Sequence, residues 1–198
     1  MSNSREKDKM EIGILRFGQV DSEVVDGILE SLETTFAESK ITVIAETLAL
    51  PEEAYVKSRK QYRSDIILTA LRSIAEKYNS FDRILGIVDV DLFVPKLNFV
   101  FGEGEYPGKV AVISLWRLRP EFYGKASDAQ VLVERGTKEA VHELGHTLGL
   151  KHCDNPFCVM YFSNSIFETD RKQNLFCNKC YVMTTLKADT GRNLERRV

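Results

Sequence analysis

The 198-residue chain has few histidines, few cysteines and no long apolar run. Its three histidines and four cysteines all lie between residues 142 and 180, so the rest of the sequence has no ligand of these types for a soft metal. No stretch of about eighteen apolar residues is present, which excludes an ordinary membrane-spanning helix. The polar opening MSNSREKDKM lacks the apolar segment of a signal peptide, and we therefore expect a cytosolic protein.

The sequence also lacks an excess of positive charge. The formal net charge is -2 and the pI is about 6.0, whereas nucleic-acid-binding surfaces usually show a basic excess. We therefore expect no nucleic-acid partner and no membrane partner, and we expect a monomer. Apolar residues make up 43% of the chain and charged residues 28%, which is typical of a globular protein of one domain at this length.

Strands and helices alternate through the first half of the chain. Apolar periodicity predicts strands at 10–16, 41–50 and 81–93. It also predicts an amphipathic helix that Asp21 or Ser22 can cap and that runs to about Ser39, and a second helix from about Ser64 to Tyr78. Strands and helices that alternate at this spacing indicate right-handed crossovers and a largely parallel sheet. The fold class is therefore α/β.

Two shorter apolar runs follow, at 97–102 and 109–118, and the turn-rich GEGEYPG joins them. They predict a hairpin-like pair at the border of the sheet, with KVAVISLWRL (109–118) as its edge strand. Further along, Ser127 and Gln130 fit a capping box that opens a long helix. That helix carries the first two histidines.

His142 and His146 lie one helical turn apart on one face, separated by only about 40° around the axis. Gly149 can end the helix in a left-handed turn, after which His152 can approach from another direction. Three neutral imidazoles leave one position of a tetrahedral zinc open for water, which distinguishes a catalytic site from a structural one. Glu143, next to His142, is placed to accept a proton from that water.

The four cysteines have a different pattern. Cys153 and Cys158 are separated by four residues, and Cys177 and Cys180 by two, which fits a structural zinc site of four thiolates. Disulfides suit a cytosolic protein less well, and independent buried cysteines remain an alternative. A zinc knuckle for nucleic acid is a weaker alternative because FCNKCYVMTT (176–185) lacks a basic surface.

The motif H-E-x-x-H-x-x-G-x-x-H, Cys153 directly after it, Met160 and the distal CNKC together resemble the archaemetzincins, a family of metzincin zinc proteases. The segments SLWRLRPEFYG and DLFVPKLNFVFG look like that family too. The resemblance covers about residues 85–183 closely. Some metzincins have a tyrosine two residues after the methionine as an extra zinc ligand, but here Tyr161 follows Met160 directly, and we assign Tyr161 no role.

The resemblance implies a compact metzincin-like fold with a twisted mixed sheet, an active-site helix and a small cysteine-rich C-terminal subdomain. We expect one domain over residues 1–198, with an N-terminal subdomain at 1–149 and a C-terminal subdomain at 150–198. The implied zinc ligands are His142, His146 and His152, with Glu143 as the base and Met160 as the turn residue beneath the metal. Two zinc ions per chain are expected, one catalytic and one structural.

We therefore predict a zinc metallopeptidase that hydrolyses peptide bonds in a peptide or protein substrate. An extended substrate is expected to pair with residues 113–116 of the edge strand. Leu115 and Trp116 are equally consistent with core positions. The alternative function is a zinc-dependent peptide-binding or regulatory protein with little turnover.

Overall fold

The structure is a computed structural model that describes residues 9–184. The first eight residues of the polar opening, and residues 185–198 of the expected C-terminal subdomain, lie outside the described residues. Eight strands are present in the described part: β1 (Glu11–Phe17), β2 (Lys40–Leu48), β3 (Tyr55–Val56), β4 (Gln61–Arg63), β5 (Arg83–Val88), β6 (Leu92–Phe93), β7 (Gly102–Gly104) and β8 (Val110–Ser114).

The helices cover much of the remaining chain. They are α1 (Ser22–Thr35), α2 (Ser64–Lys77), α3 (Ala129–Thr147) and α4 (Ile166–Arg171), and residues 178–184 are also helical. Asp21 caps α1 as predicted, because its carboxylate accepts a hydrogen bond from the Glu23 N–H. Among the described residues, no helix combines the length and apolar character needed to cross a membrane.

The main sheet has the strand order β2-β1-β5-β8-β7. Its first three pairings are parallel and the last, between β7 and β8, is antiparallel, so the predicted mixed α/β sheet is confirmed. One apolar core lies between the sheet and helices α1 and α3, and a second core lies on the α2 side. A small sheet of β3, β4 and β6 was not predicted, because β3 and β4 lie in polar sequence and β6 is the end of the predicted strand 81–93, which the structure divides between the two sheets.

The prediction that residues 109–118 form the edge strand is wrong. β8 lies inside the sheet between β5 and β7, and all five of its residues are buried. The edge strand on this side of the sheet is β7, which lies in the glycine-rich GEGEYPG that the sequence predicts as a turn. The hairpin itself is confirmed, but its first strand is Gly102–Gly104 and not residues 97–102.

The predicted capping box at the start of α3 is also wrong. The cap is Asp128, whose carboxylate accepts a 3.0 Å hydrogen bond from the Val131 N–H. Ser127 instead hydrogen-bonds the Glu121 side chain in the preceding connection. The end of α3 is as predicted, since Gly149 has a φ of 80° just after the helix.

Glycines allow β7 to approach α3 closely. A β-carbon at Gly104 would lie 2.6 Å from the Glu143 carbonyl oxygen and 3.2 Å from the His146 β-carbon. A β-carbon at Gly102 would lie 2.7 Å from the Glu143 γ-carbon. Any side chain at these positions would therefore push the edge strand away from the helix that carries the histidines.

Replacement of Gly104 by alanine tests this close approach. The added methyl group meets backbone, which cannot rotate away, so we expect the free energy of unfolding to fall by about 1–3 kcal/mol in urea denaturation. Thr42→Ala, on an exposed position of β2 at the opposite edge, is the control and should change it by less than about 0.5 kcal/mol. A Gly104→Ala variant as stable as wild type would show that β7 and α3 are farther apart.

Candidate active site and metal centres

Helix α3 presents His142 and His146 on the same face. Their ring centroids are 4.7 Å apart, and their Nε2 atoms are separated by 3.1 Å. After Gly149 the chain reverses and carries His152 back, with its ring 5.3 Å from that of His142 and 4.9 Å from that of His146. One nitrogen from each ring lies within 4.8 Å of the others, so the structure brings the three predicted ligands together.

Backbone carbonyls fix the orientation of two of these rings. His142 Nδ1 is 2.7 Å from the Val159 carbonyl oxygen, and His146 Nδ1 is 2.8 Å from that of Leu150. A carbonyl can only accept, so Nδ1 carries the proton on both rings and the lone pair is on Nε2. Burial lowers the pKa of all three histidines, which favours the neutral form that binds a metal.

These rings fit zinc. Two lone pairs that face each other 3.1 Å apart repel one another unless a cation lies between them. Ligand nitrogens on tetrahedral zinc are separated by about 3.3 Å, as bond lengths of about 2.0–2.1 Å require. The neutral imidazoles, their Nε2 lone pairs and their spacing therefore suit a zinc ion.

Glu143 lies beside His142 and below the edge strand. Its side chain is buried near Gly102, and both residues line one cavity with His142. Burial, together with the nearby Glu139 carboxylate, raises the pKa of Glu143 well above its ordinary value. The Gly104 N–H acts in the opposite direction and favours the ionised carboxylate.

Met160 is completely buried and lies against α3 at Gly145. A β-carbon at Gly145 would collide with the Met160 sulfur, so this glycine lets α3 rest directly on the methionine. The Met160 carbonyl accepts a 2.9 Å hydrogen bond from the Cys153 N–H. Tyr161, to which we assigned no role, has its ring beneath the Arg171 guanidinium.

The four cysteines form a second cluster. Their sulfurs lie within 4.8 Å of one another, and the Cys153 and Cys177 sulfurs are 3.8 Å apart. Thiolates on tetrahedral zinc are about 3.8 Å apart for a bond length of about 2.3 Å. All four thiols are free, and the Cys177 N–H donates to the Cys158 sulfur over 3.3 Å. Cys158 is followed directly by Val159 and Met160, so the cluster adjoins the histidine site.

The environment of the cysteines gives their thiols different acidities. Burial raises the pKa of Cys158 and of Cys180. Burial also opposes ionisation of Cys177, but hydrogen bonds from the Cys180 N–H and from neighbouring thiols lower its pKa to about 7. A thiolate at Cys177 is therefore accessible near neutral pH, and the thiolate is the form that binds a metal.

Two cavities flank the histidines. The Glu139 cavity, named after a buried residue of α3, has a volume of about 190 Å³ and lies between residues 97–102 and residues 162–164, with Glu139, His142 and Glu143 on its α3 side. The Tyr106 cavity lies on the other side, against Gly104, Tyr106, His146, Lys151 and His152. β7 borders both cavities, because Gly102 lines the first and Gly104 the second.

The residues predicted to contact a substrate are partly displaced. Leu115 is a core residue with no exposed surface, and Trp116 is 44% exposed. Residues 113 and 114 face β5 on one side and the segment 101–102 on the other, so they have no free edge for a peptide. Gly102 and Gly104 were not among the predicted site residues, although two glycines flanking one glutamate can signal close packing against a helix.

Glu139 was also missed, although its spacing from His142 and Glu143 places it on the same helical face. It is buried and pairs with Lys172, whose Nζ lies 2.9 Å from its Oε1. Lys172 is far along the chain, and no sequence pattern signals this contact. The pair therefore emerges only from the tertiary structure.

Comparison with known proteins agrees with the site. The model of Peptidase family M54 matches residues 9–187. The archaemetzincin of Methanocaldococcus jannaschii is 46% identical over 159 residues, which cover 80% of this chain and 86% of that protein. The crystal structure of the Methanopyrus kandleri archaemetzincin has a TM-score of 0.81 and 37% identity, and the match covers 92% of this chain and 97% of the other.

A crystal structure from Methanocorpusculum labreanum, described as a zinc-dependent peptidase, has a TM-score of 0.78 and 34% identity. The match covers 87% of this chain and 99% of that one. The family model, the curated relative and the solved structures therefore agree. The chain belongs to Peptidase family M54 and is a member of the archaemetzincin family.

Proposed function

We propose that this peptidase cleaves peptide bonds with a catalytic zinc held by His142, His146 and His152. The observation that supports this most directly is the convergence of three ring nitrogens within 4.8 Å, with two rings oriented by backbone carbonyls. When bound, zinc supplies a Lewis acid that makes water nucleophilic near neutral pH and stabilises negative charge on the scissile carbonyl oxygen.

Glu143 is the proposed general base. It accepts a proton from the attacking water and delivers it to the leaving amine. Its position supports this role, since it follows His142 on α3 and lines the same cavity. The Gly104 N–H helps to keep the carboxylate ionised in surroundings that otherwise favour its protonated form.

The substrate is proposed to lie along β7. The Phe101 carbonyl and the Glu105 N–H bond β8. Alternation along the strand therefore directs the N–H and C=O groups of Gly102 and the C=O group of Gly104 away from β8, while the Gly104 N–H bonds Glu143. An extended peptide antiparallel to β7 then runs from the Tyr106 cavity across the histidines to the Glu139 cavity. The residue after the cleaved bond therefore enters the Glu139 cavity.

A second, structural zinc is proposed at Cys153, Cys158, Cys177 and Cys180. Four thiolates leave no position open for water, so this ion would stabilise the fold and take no part in hydrolysis. Cys158 lies next to Val159, whose carbonyl orients His142. Met160 is the proposed turn residue that supports the histidine site from below.

The remaining features of the proposed function concern organisation and partners. We propose one domain over residues 1–198, with subdomains at 1–149 and 150–198, that acts as a monomer in the cytosol. The four cysteines cluster as a potential metal site and form no disulfide among residues 9–184, which fits a reducing compartment. A net charge of -2 argues against a nucleic-acid partner, and the peptidase family supports a peptide or protein substrate.

Replacement of Glu143 by glutamine tests the base. The variant keeps the shape of the side chain but cannot take the proton, so we expect kcat to fall by about 10²–10⁴-fold with two zinc ions retained. The exposed Glu134→Gln on the same helix is the control and should cleave peptides like wild type. Cleavage is followed by mass spectrometry of a peptide library, and zinc by elemental analysis.

Two results of that experiment would change the assignment. Full activity in Glu143→Gln would exclude this residue as the base. A wild-type protein that binds zinc but cleaves nothing in the library would instead support the alternative function, a zinc-dependent peptide-binding protein.

Zinc stoichiometry tests the two proposed centres separately. Wild type should contain two zinc ions, and a Cys177→Ser/Cys180→Ser variant should contain one, because two thiolates alone hold zinc weakly. The matched variant His142→Ala/His146→Ala should also retain one zinc, at the cysteines. A cysteine variant that keeps both ions, or a histidine variant that keeps both, would contradict the corresponding site.

A further inference from the structure

The Glu139 cavity has the size and the walls of a pocket for one aromatic side chain. Its volume of about 190 Å³ exceeds the approximately 150 Å³ cavity that holds a benzene molecule in an engineered protein. Phe99, Phe101 and Phe162 are among its lining residues. Aromatic rings gain favourable edge-to-face and offset contacts with such walls.

One wall of the cavity is held in place by two arginines. Arg59 donates hydrogen bonds to the Leu97 and Asn98 carbonyls over 3.1 and 2.8 Å. The Arg117 guanidinium lies 4.4 Å from the centre of the Phe99 ring, and it is itself fixed by a bidentate pair with Asp91. The shape of this wall is therefore set before a ligand arrives, which favours selectivity.

A buried ion pair lies at the α3 side of the same cavity. Glu139 is 3% exposed, and its Oε1 receives a 3.1 Å hydrogen bond from the Thr169 hydroxyl. Lys172 is 1% exposed, with Nζ 2.9 Å from the same oxygen but without a hydrogen bond to any residue among 9–184. Lys172 therefore offsets the charge of Glu139, and Glu139 is one of the residues that line the cavity.

We propose, on the basis of the proposed function, that this pair makes the Glu139 cavity select tyrosine as the residue after the cleaved bond. A carboxylate only accepts hydrogen bonds, so it favours a side chain that ends in a donor. A carboxylate side chain would meet the like charges of Glu139 and Glu143, which both line the cavity, and an ammonium would gain little from Glu139 because Lys172 already pairs with that carboxylate. A phenol is neutral, donates, and has a ring that fits between the phenylalanines.

Binding of inhibitors to the zinc-loaded protein tests this selectivity without the need for turnover. The probes are peptide hydroxamates, whose hydroxamate group binds zinc, and they differ only in the adjacent side chain: tyrosine, phenylalanine, lysine or glutamate. Hydrogen bonds to a charged group are among the stronger ones, so we expect the tyrosine probe to bind at least about tenfold more tightly than the phenylalanine probe in calorimetry.

A double variant assigns the preference to the ion pair. Glu139→Leu/Lys172→Met removes both charges together, which avoids a single buried charge. Its ratio of phenylalanine-probe Kd to tyrosine-probe Kd should fall to about one or below. Asp89→Asn/Arg119→Met removes another ion pair, away from the cavity lining, and should keep the wild-type ratio.

The outcomes separate the selectivity from the proposed function. Phenylalanine, lysine or glutamate probes that equal or exceed the tyrosine probe in wild type would overturn the selectivity while the zinc site stands. The same holds if the folded double variant keeps the wild-type ratio. Acetohydroxamate, which has no side chain, reports the zinc site alone, and its failure to bind would overturn the proposed zinc site and this selectivity together.

Discussion

The histidine site depends on two hydrogen bonds from imidazole to backbone. His142 is oriented by the Val159 carbonyl and His146 by the Leu150 carbonyl, and neither carbonyl belongs to α3. The helix therefore supplies the rings, but the chain after it decides which nitrogen of each ring faces the metal position. Val159 lies between Cys158 and Met160, so the carbonyl that orients His142 is only one residue away from the cysteine cluster.

Absent side chains are as important here as the ligands. Gly102 and Gly104 let the edge strand approach α3, and Gly145 lets α3 rest on the Met160 sulfur. Helix α3 is consequently packed between strand β7 on one side and Met160 on the other, and every residue from 137 to 145 is buried. Because this packing leaves little space for rearrangement, His142, His146 and Glu143 are fixed before any ligand binds.

Local patterns predicted the site better than the arrangement around it. His142, His146, Gly149 and His152 follow from helical geometry and one turn, so their convergence could be read from the spacing. The sheet edge could not, because the glycines of β7 have low strand propensity and form a strand only by pairing with β8 and packing on α3. The Lys172 contact is set by the tertiary fold alone.

The Glu139–Lys172 pair is difficult to explain as a device for stability. Burying both charges costs desolvation energy that their attraction only partly offsets, and apolar residues often stabilise such positions equally well. The attachment of α4 to α3 does not require the pair, because Arg135 already binds both carboxylate oxygens of Asp170 over 2.7 and 2.8 Å, and Lys138 donates to the Asp170 carbonyl. Glu139 differs from Arg135 and Lys138 in one respect: it borders the cavity beside His142 and Glu143. The energetic cost of burying the Glu139 charge beside this cavity is therefore best explained if Glu139 helps to recognise the side chain that enters the cavity.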